Sequence, residues 1–106
     1  VDSPEFFEKV KVYLRDHISE PLSLQELSDL FAISQAYMSR LFRKYTRQSY
    51  NQYLTGIRME RAKQLLEEES GLFVKDIAGM VGYRDQFYFS RVFHSYTGKS
   101  PADYIG

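Results

Sequence analysis

Three observations predict an all-α fold for this chain of 106 residues. Apolar residues recur at helical spacing in every segment, and none shows the alternation of a half-buried strand. Helix-capping signals precede those segments in turn. The stretch MSRLFRKYTRQSYNQYL at residues 38–54 then returns as FSRVFHSYTGKSPADYI at residues 89–105, an offset of 51. At that offset Met38 falls on Phe89, Ser39 on Ser90, Arg40 on Arg91, Phe42 on Phe93, Tyr45 on Tyr96 and Tyr53 on Tyr104. One helical unit is therefore expected twice, with about seven helices in all.

The elements follow in order. Ser3-Pro4-Glu5 reads as an N-cap, a proline at the first helical position and an acid in the first turn; Phe6, Val10, Tyr13, Leu14 and Ile18 keep helical spacing up to an end near Pro21. Ser23-Leu24-Gln25-Glu26 is a capping box for a short helix carrying Leu24, Leu27 and Leu30. Ser34 caps the next helix. Ser49-Tyr50-Asn51-Gln52 is a second box and opens a long helix with Ile57, Ala62, Leu65 and Leu66 inward, the acids Glu67, Glu68 and Glu69 near its end, and Ser70-Gly71 as the break. The pattern restarts through Val74, Ile77, Ala78 and Val81, turns at Gly82 and is capped by Asp85. Gly98 ends that helix and Ser100-Pro101 opens a last short one. The expected division is a first lobe at 1–48, a linker helix at 49–69 and a second lobe at 70–106.

Composition narrows the function. A content of 43% apolar residues suffices for a core, and with no cysteine there are neither disulfides nor thiolate metal sites, in keeping with a reducing cytoplasm. His17 and His94 lack helical partners for a metal, so no cofactor is expected. No apolar run approaches the roughly 20 residues of a membrane span. No signal peptide precedes the first helix, and the start at Val1 suggests a piece of a longer protein. The formal net charge is zero, yet residues 34–50 carry Arg40, Arg43, Lys44 and Arg47 with no acid. Positive charge is concentrated on one copy of the repeat, where local fields rather than net charge govern binding.

A short helix, a turn of three or four residues and a second helix make a helix-turn-helix, whose second helix suits the DNA major groove. The second helices are expected at about residues 35–45 and 86–96. Met38, Leu41, Phe42 and Tyr45 form one buried stripe, as do Phe89, Val92, Phe93 and Tyr96. The opposite faces carry Ala36, Ser39, Arg40 and Arg43 in one copy and Phe87, Ser90, Arg91 and His94 in the other. Arginine can grip guanine O6 and N7 with two parallel bonds, serine can reach bases or phosphates, and small or apolar groups meet thymine methyls. An outward charged face is often merely solvated. Here the outward Ser-Arg pair occurs twice, at positions packing constrains least. A linker of about 18 residues would be a rod of roughly 27 Å, against about 34 Å between successive major-groove faces, so adjacent groove segments come within reach of one chain.

The stretch GYRDQFYFSRVFHSYTGKSPADYI, together with SLQELSDLFAISQAYMSRLFRKYT and the pattern Arg58-x-x-x-Ala62-x-x-Leu65-Leu66, resembles the DNA-binding domain of the AraC/XylS (arabinose-regulator) family from about residue 6 to 105. The resemblance implies a two-lobed all-α bacterial transcription regulator, often an activator. It also implies double-stranded promoter DNA and RNA polymerase as partners, and an effector-binding, dimerisation or receiver domain in the full-length chain. Its base-reading positions fall on Ala36, Ser39 and Arg40 and on Gln86, Phe87, Ser90 and Arg91. Departures from the pattern are Arg47 and Ala32 at glycine positions, Phe73 in place of the cap at Ser23, and Phe87 where a small or polar residue is usual.

Arg40 and Arg91 lead as base readers. Ser23, Arg43, Lys44, Arg47 and His94 are phosphate candidates, which fix position without reading sequence; for His94 plain solvation is the other reading. Phe87 either meets a thymine methyl or shields the surface between lobes. Arg58 and Arg61 are expected to tie the linker to the lobes through carboxylates. No nucleophile–base pair, metal cluster or phosphate loop supports an enzyme. A helical protein-interaction module is the alternative to a DNA reader.

Overall fold

The computed structural model describes residues 2–68 and 71–105, Ile105 by its backbone alone. Val1, Gly106, the expected helix break at Ser70 and the last acid of the run, Glu69, lie outside the described residues. Among those described the chain is helical without a strand: α1 (Pro4–Asp16), α2 (Leu24–Leu30), α3 (Gln35–Thr46), α4 (Tyr50–Glu68), α5 (Val74–Met80), α6 (Gln86–Thr97) and α7 (Pro101–Ile105). It divides into two compact units, Val1–Thr55 and Gly56–Gly106, so the boundary falls inside α4.

In the first unit, Ser3 Oγ accepts the Phe6 N–H at 3.1 Å, and Phe7, Val10 and Leu14 form the buried face of α1. Phe6 and Tyr13 are only half-buried, packing on the Phe31 ring at 5.7 and 6.0 Å. The helix stops at Asp16 rather than near Pro21. His17 leaves helical angles there, stacks on Tyr13 at 4.0 Å and meets the Glu20 carboxylate at 2.6 Å, which closes a turn before the proline is reached.

The box on α2 is complete, with Glu26 N–H to Ser23 Oγ at 3.0 Å and Ser23 N–H to the Glu26 carboxylate at 3.3 Å. Leu30, one of the three leucines at helical spacing, is 54% exposed. Leu24, Leu27 and Ser28 centre the packed face, and Leu30 falls about a third of a turn away from it. Ser28 is buried because its hydroxyl donates to the Leu24 carbonyl at 2.7 Å. On α3 the buried residues are Met38, Leu41 and Phe42. Phe42 is the hub of this core, with ring centroids 5.0 Å from Phe7, 5.2 Å from Tyr50 and 5.4 Å from Tyr53.

Two non-glycine residues take left-handed backbone, Ala32 at φ 57° and Arg47 at φ 62°. Arg47 caps α3 as Gly98, at φ 85°, caps α6. A Cβ is disfavoured in that region, so Arg47→Gly is expected to raise stability by about 0.5–1 kcal/mol even after glycine's greater unfolded-state freedom is subtracted. Urea denaturation checks this, and an unchanged or lower midpoint would show that the arginine is unstrained.

The capping box of α4 closes through Ser49 N–H to Gln52 Oε1 at 2.9 Å and Gln52 N–H to Ser49 Oγ at 3.2 Å. Tyr50 and Leu54 are buried in the first unit; in the second, Met59, Ala62, Leu65 and Leu66 join Ile77, Ala78, Val81, Phe89 and Phe93 in one core. Met59, not Ile57, completes that stripe; Ile57 is half-buried. Arg61 donates to Gln64 at 3.2 Å rather than to a carboxylate, and the Arg58 guanidinium lies over the Tyr83 ring, 5.5 Å from its centroid. Glu67 and Glu68 are exposed at the helix end.

Tyr96 on α6 corrects another expectation. It is 47% exposed and its hydroxyl donates to Glu60 at 3.2 Å, whereas its counterpart Tyr45 is half-buried and stacks on Phe7 of α1 at 5.0 Å. In the second unit the later half of α4 repeats α1, with Met59, Ala62 and Leu66 buried as Phe7, Val10 and Leu14 are, but Met59 stands in the place of Phe7 and offers Tyr96 no ring to stack on. The opening of α4 does have a repeat, α7, whose Tyr104 meets Phe93 at 5.5 Å as Tyr53 meets Phe42. At α5 the cap is halved: Asp76 accepts the Phe73 N–H at 3.0 Å, and phenylalanine offers no oxygen in return.

Candidate nucleic-acid interface

The two helix-turn-helix units differ in their turns. From α2 to α5 the copies are 50 residues apart, and from α3 to α6 they are 51, so the second turn holds one residue more than the first. Both turns are pinned alike, Ile33 N–H to the Ser28 carbonyl at 3.1 Å and Tyr83 N–H to the Ala78 carbonyl at 2.8 Å. The added residue lies between that bond and the next cap, at Arg84-Asp85. Ser34 Oγ then accepts from Tyr37 N–H at 3.1 Å, while the Asp85 carboxylate accepts from Phe87 and Tyr88 N–H at 2.8 and 3.3 Å. The cap of α6 is thus a carboxylate where that of α3 is a hydroxyl.

On α3, Ala36, Arg40 and Arg43 are exposed and Ser39 is half-exposed, opposite the buried Met38, Leu41 and Phe42. On α6, Phe87, Arg91 and His94 are exposed and Ser90 is half-exposed, away from the buried Phe89 and Phe93, whereas Gln86, also half-exposed, opens the helix on the side of those two residues. Phe87 shows 69% of its surface, an exposure that packing within its unit does not explain. With Gln86 apart, each expected set of readers therefore shares one solvent-facing side of its own helix.

Among the described residues neither Arg40 nor Arg91 forms an ion pair. Each guanidinium lies instead over the tyrosine three positions earlier, Arg40 at 5.5 Å from the Tyr37 centroid and Arg91 at 5.7 Å from that of Tyr88. The sequence reading missed this pairing, although Tyr-x-x-Arg stands in both copies. Arg43, Arg47 and His94 also lack ion pairs among the described residues. Lys44 is engaged: its ammonium lies 2.9 Å from Asp2 Oδ2, and the Tyr45 hydroxyl donates to Asp2 Oδ1 at 2.8 Å. The bond from Lys44, then that from Tyr45, holds the Asp2 carboxyl below the usual carboxylate range; the same partner raises Lys44. Ser23 Oγ spends a lone pair on its cap, which leaves the hydroxyl proton to donate.

No described residues group as metal ligands, and no described helix is long and apolar enough to cross a membrane. The geometry offers two exposed, hydrogen-bonding helix faces on apolar cores.

Comparison with known proteins agrees with this. A helix-turn-helix domain family model matches residues 27–106. The chain is 39% identical over 91 residues, 86% of its length, to the HTH-type transcriptional activator Btr of Bacillus subtilis strain 168, and spans 17% of that protein. The C-terminal domain of AraT, a response regulator from Geobacillus stearothermophilus, is similar with a TM-score of 0.91 and 35% identity, over 97% of this chain and 84% of that one. The DNA-binding domain of the global transcriptional factor AdpA, solved in complex with a target DNA, is similar with a TM-score of 0.87 and 28% identity, over 92% and 87% of the two chains. All three relatives are regulators. The chain belongs to the AraC/XylS (arabinose-regulator) family and is a DNA-binding domain of a transcription regulator.

Proposed function

We propose that α3 and α6 each enter a major-groove segment of promoter duplex, with residues 1–48 and 70–106 as reading lobes and 49–69 as their linker. Arg40 and Arg91 fork onto guanine edges, and Ala36, Ser39, Gln86, Phe87 and Ser90 line the remaining contacts. Ser23, Arg43, Lys44, Arg47 and His94 hold phosphates. The observation that carries this reading is the repeated outward Ser-Arg pair, whose arginines lie over tyrosine rings and form no ion pair among the described residues. In the cytoplasm the whole regulator would join this domain to a receiver, effector-binding or dimerisation domain and act on RNA polymerase.

The Asp2–Lys44 pair lies at the surface, and such pairs contribute little. A DNA phosphate therefore exchanges for the Asp2 carboxylate at small cost. Unequal lobes follow from the charge distribution. Arg43→Ala or Arg47→Ala is expected to weaken binding to every duplex and to reduce the salt dependence by about one counterion, while Lys99→Ala changes it less. Titration of duplex binding against salt concentration tests both statements. Binding that ignores salt would favour a protein-interaction surface instead, and equal slopes for the α3 and Lys99 variants would remove the inequality.

A further inference from the structure

We propose that Tyr37 and Tyr88 are positioning residues that hold the guanidinium groups of Arg40 and Arg91 ready for the groove. This role rests on the base reading assigned above to those arginines. The contact occurs independently in each unit with nearly the same geometry, 5.5 and 5.7 Å from guanidinium carbon to ring centroid, between residues one helical turn apart. Packing does not demand either ring: Tyr37 is half-buried and Tyr88 is 51% exposed. Among the described residues neither phenol oxygen makes a hydrogen bond, so the ring face, not the hydroxyl, is the part in use.

The chemistry favours this arrangement over a salt bridge. A carboxylate would occupy the N–H fork that has to meet a base. A guanidinium lying over an aromatic face, by contrast, spends none of its N–H donors on a carboxylate. The ring also restricts a long side chain that would otherwise have to be ordered during binding. Tyr88 is itself braced, since its ring lies 6.0 Å from Tyr83, which packs 5.6 Å from the buried Phe89 and lies beneath Arg58. The residue added to the second turn lies directly after Tyr83. In the first unit Ile33 stands at the position of Tyr83, so that position gives Tyr37 no ring to lean on.

Selection from a randomised duplex library tests the role, using Tyr37→Leu, Tyr88→Leu, the two Phe variants, Arg40→Ala and Arg91→Ala in the intact 106-residue chain. Each Leu variant is expected to bind the selected site about two- to fivefold less tightly, the range of an exposed cation–π contact. That loss should relax the same base position as the arginine variant of its own helix, and random duplex should be unaffected. The Phe variants, which keep the ring, should bind like the parent. Tyr88→Leu should add nothing to Arg91→Ala. In the unbound protein, ring-current shifts of the arginine side-chain NMR signals should be present in the parent and the Phe variants and absent in the Leu variants. Loss on every sequence, or Phe variants as weak as Leu, would make the tyrosines DNA contacts in their own right and overturn the role. Absent ring-current shifts overturn it without touching the base reading. Base preference unchanged by Arg91→Ala overturns the base reading, and the positioning role falls with it.

Discussion

Arg40→Ala and Arg91→Ala are each expected to cost about 1–3 kcal/mol on the specific site and to relax preference at one base position, a different one for each. Both guanidinium groups are exposed, without an ion pair among the described residues, and carried on the side of their helix opposite its buried residues. Random-sequence DNA should lose much less, because phosphate contacts carry most nonspecific binding. Lysine should restore little, since a point charge replaces a planar fork and the ring beneath loses its flat partner. The measurement is a base-resolved binding profile for each variant. Uniform loss on every sequence would reduce these arginines to phosphate contacts and leave the reading to Ser39, Gln86, Phe87 and Ser90 or to DNA shape.

What was legible in the sequence is what one helix encodes by itself. Caps at Ser3, Ser23, Ser34, Ser49 and Asp85 stand in their expected places, because capping is a local match between a side chain and N–H groups two or three residues on. The buried residues of α3 followed from period alone. The misses depended on neighbours. Tyr45 and Tyr96 occupy one position of the repeat, yet only Tyr45 finds the ring of Phe7 above it. Leu30 and Ile57 satisfy helical spacing, but the packed face is centred elsewhere, on Ser28 in one case and Met59 in the other. The Asp2–Lys44 pair joins residues 42 positions apart and left no local signal. The site divided in the same way. Which side of α3 and α6 faces out could be read from the stripe, whereas the tyrosine beneath each arginine was written in both copies and passed over, because Tyr-x-x-Arg is also an ordinary helical spacing.

Phe42→Ala is expected to destabilise the fold by about 3–5 kcal/mol, the usual range for removing a fully buried phenylalanine. Its side chain has no exposed surface and meets rings from α1 and α4, so alanine would leave a cavity walled by rings from two other helices. Rings fixed on separate helices cannot all move in to fill it. Phe87→Ala is the matched control. The residue type is the same, but at 69% exposure on α6 the change should stay within about 0.5 kcal/mol. DNA binding should reverse the contrast: if Phe87 meets a thymine methyl, its loss changes base preference while the fold stays intact. Urea denaturation followed by helical circular dichroism reads the first comparison, and library selection reads the second. A Phe87→Ala protein as unstable as Phe42→Ala would mean that the ring is covered within the fold, and Phe87 would then leave the reading face. A stable Phe42→Ala protein would mean that the first core can close around the missing ring, and the hub assigned to Phe42 would be lost.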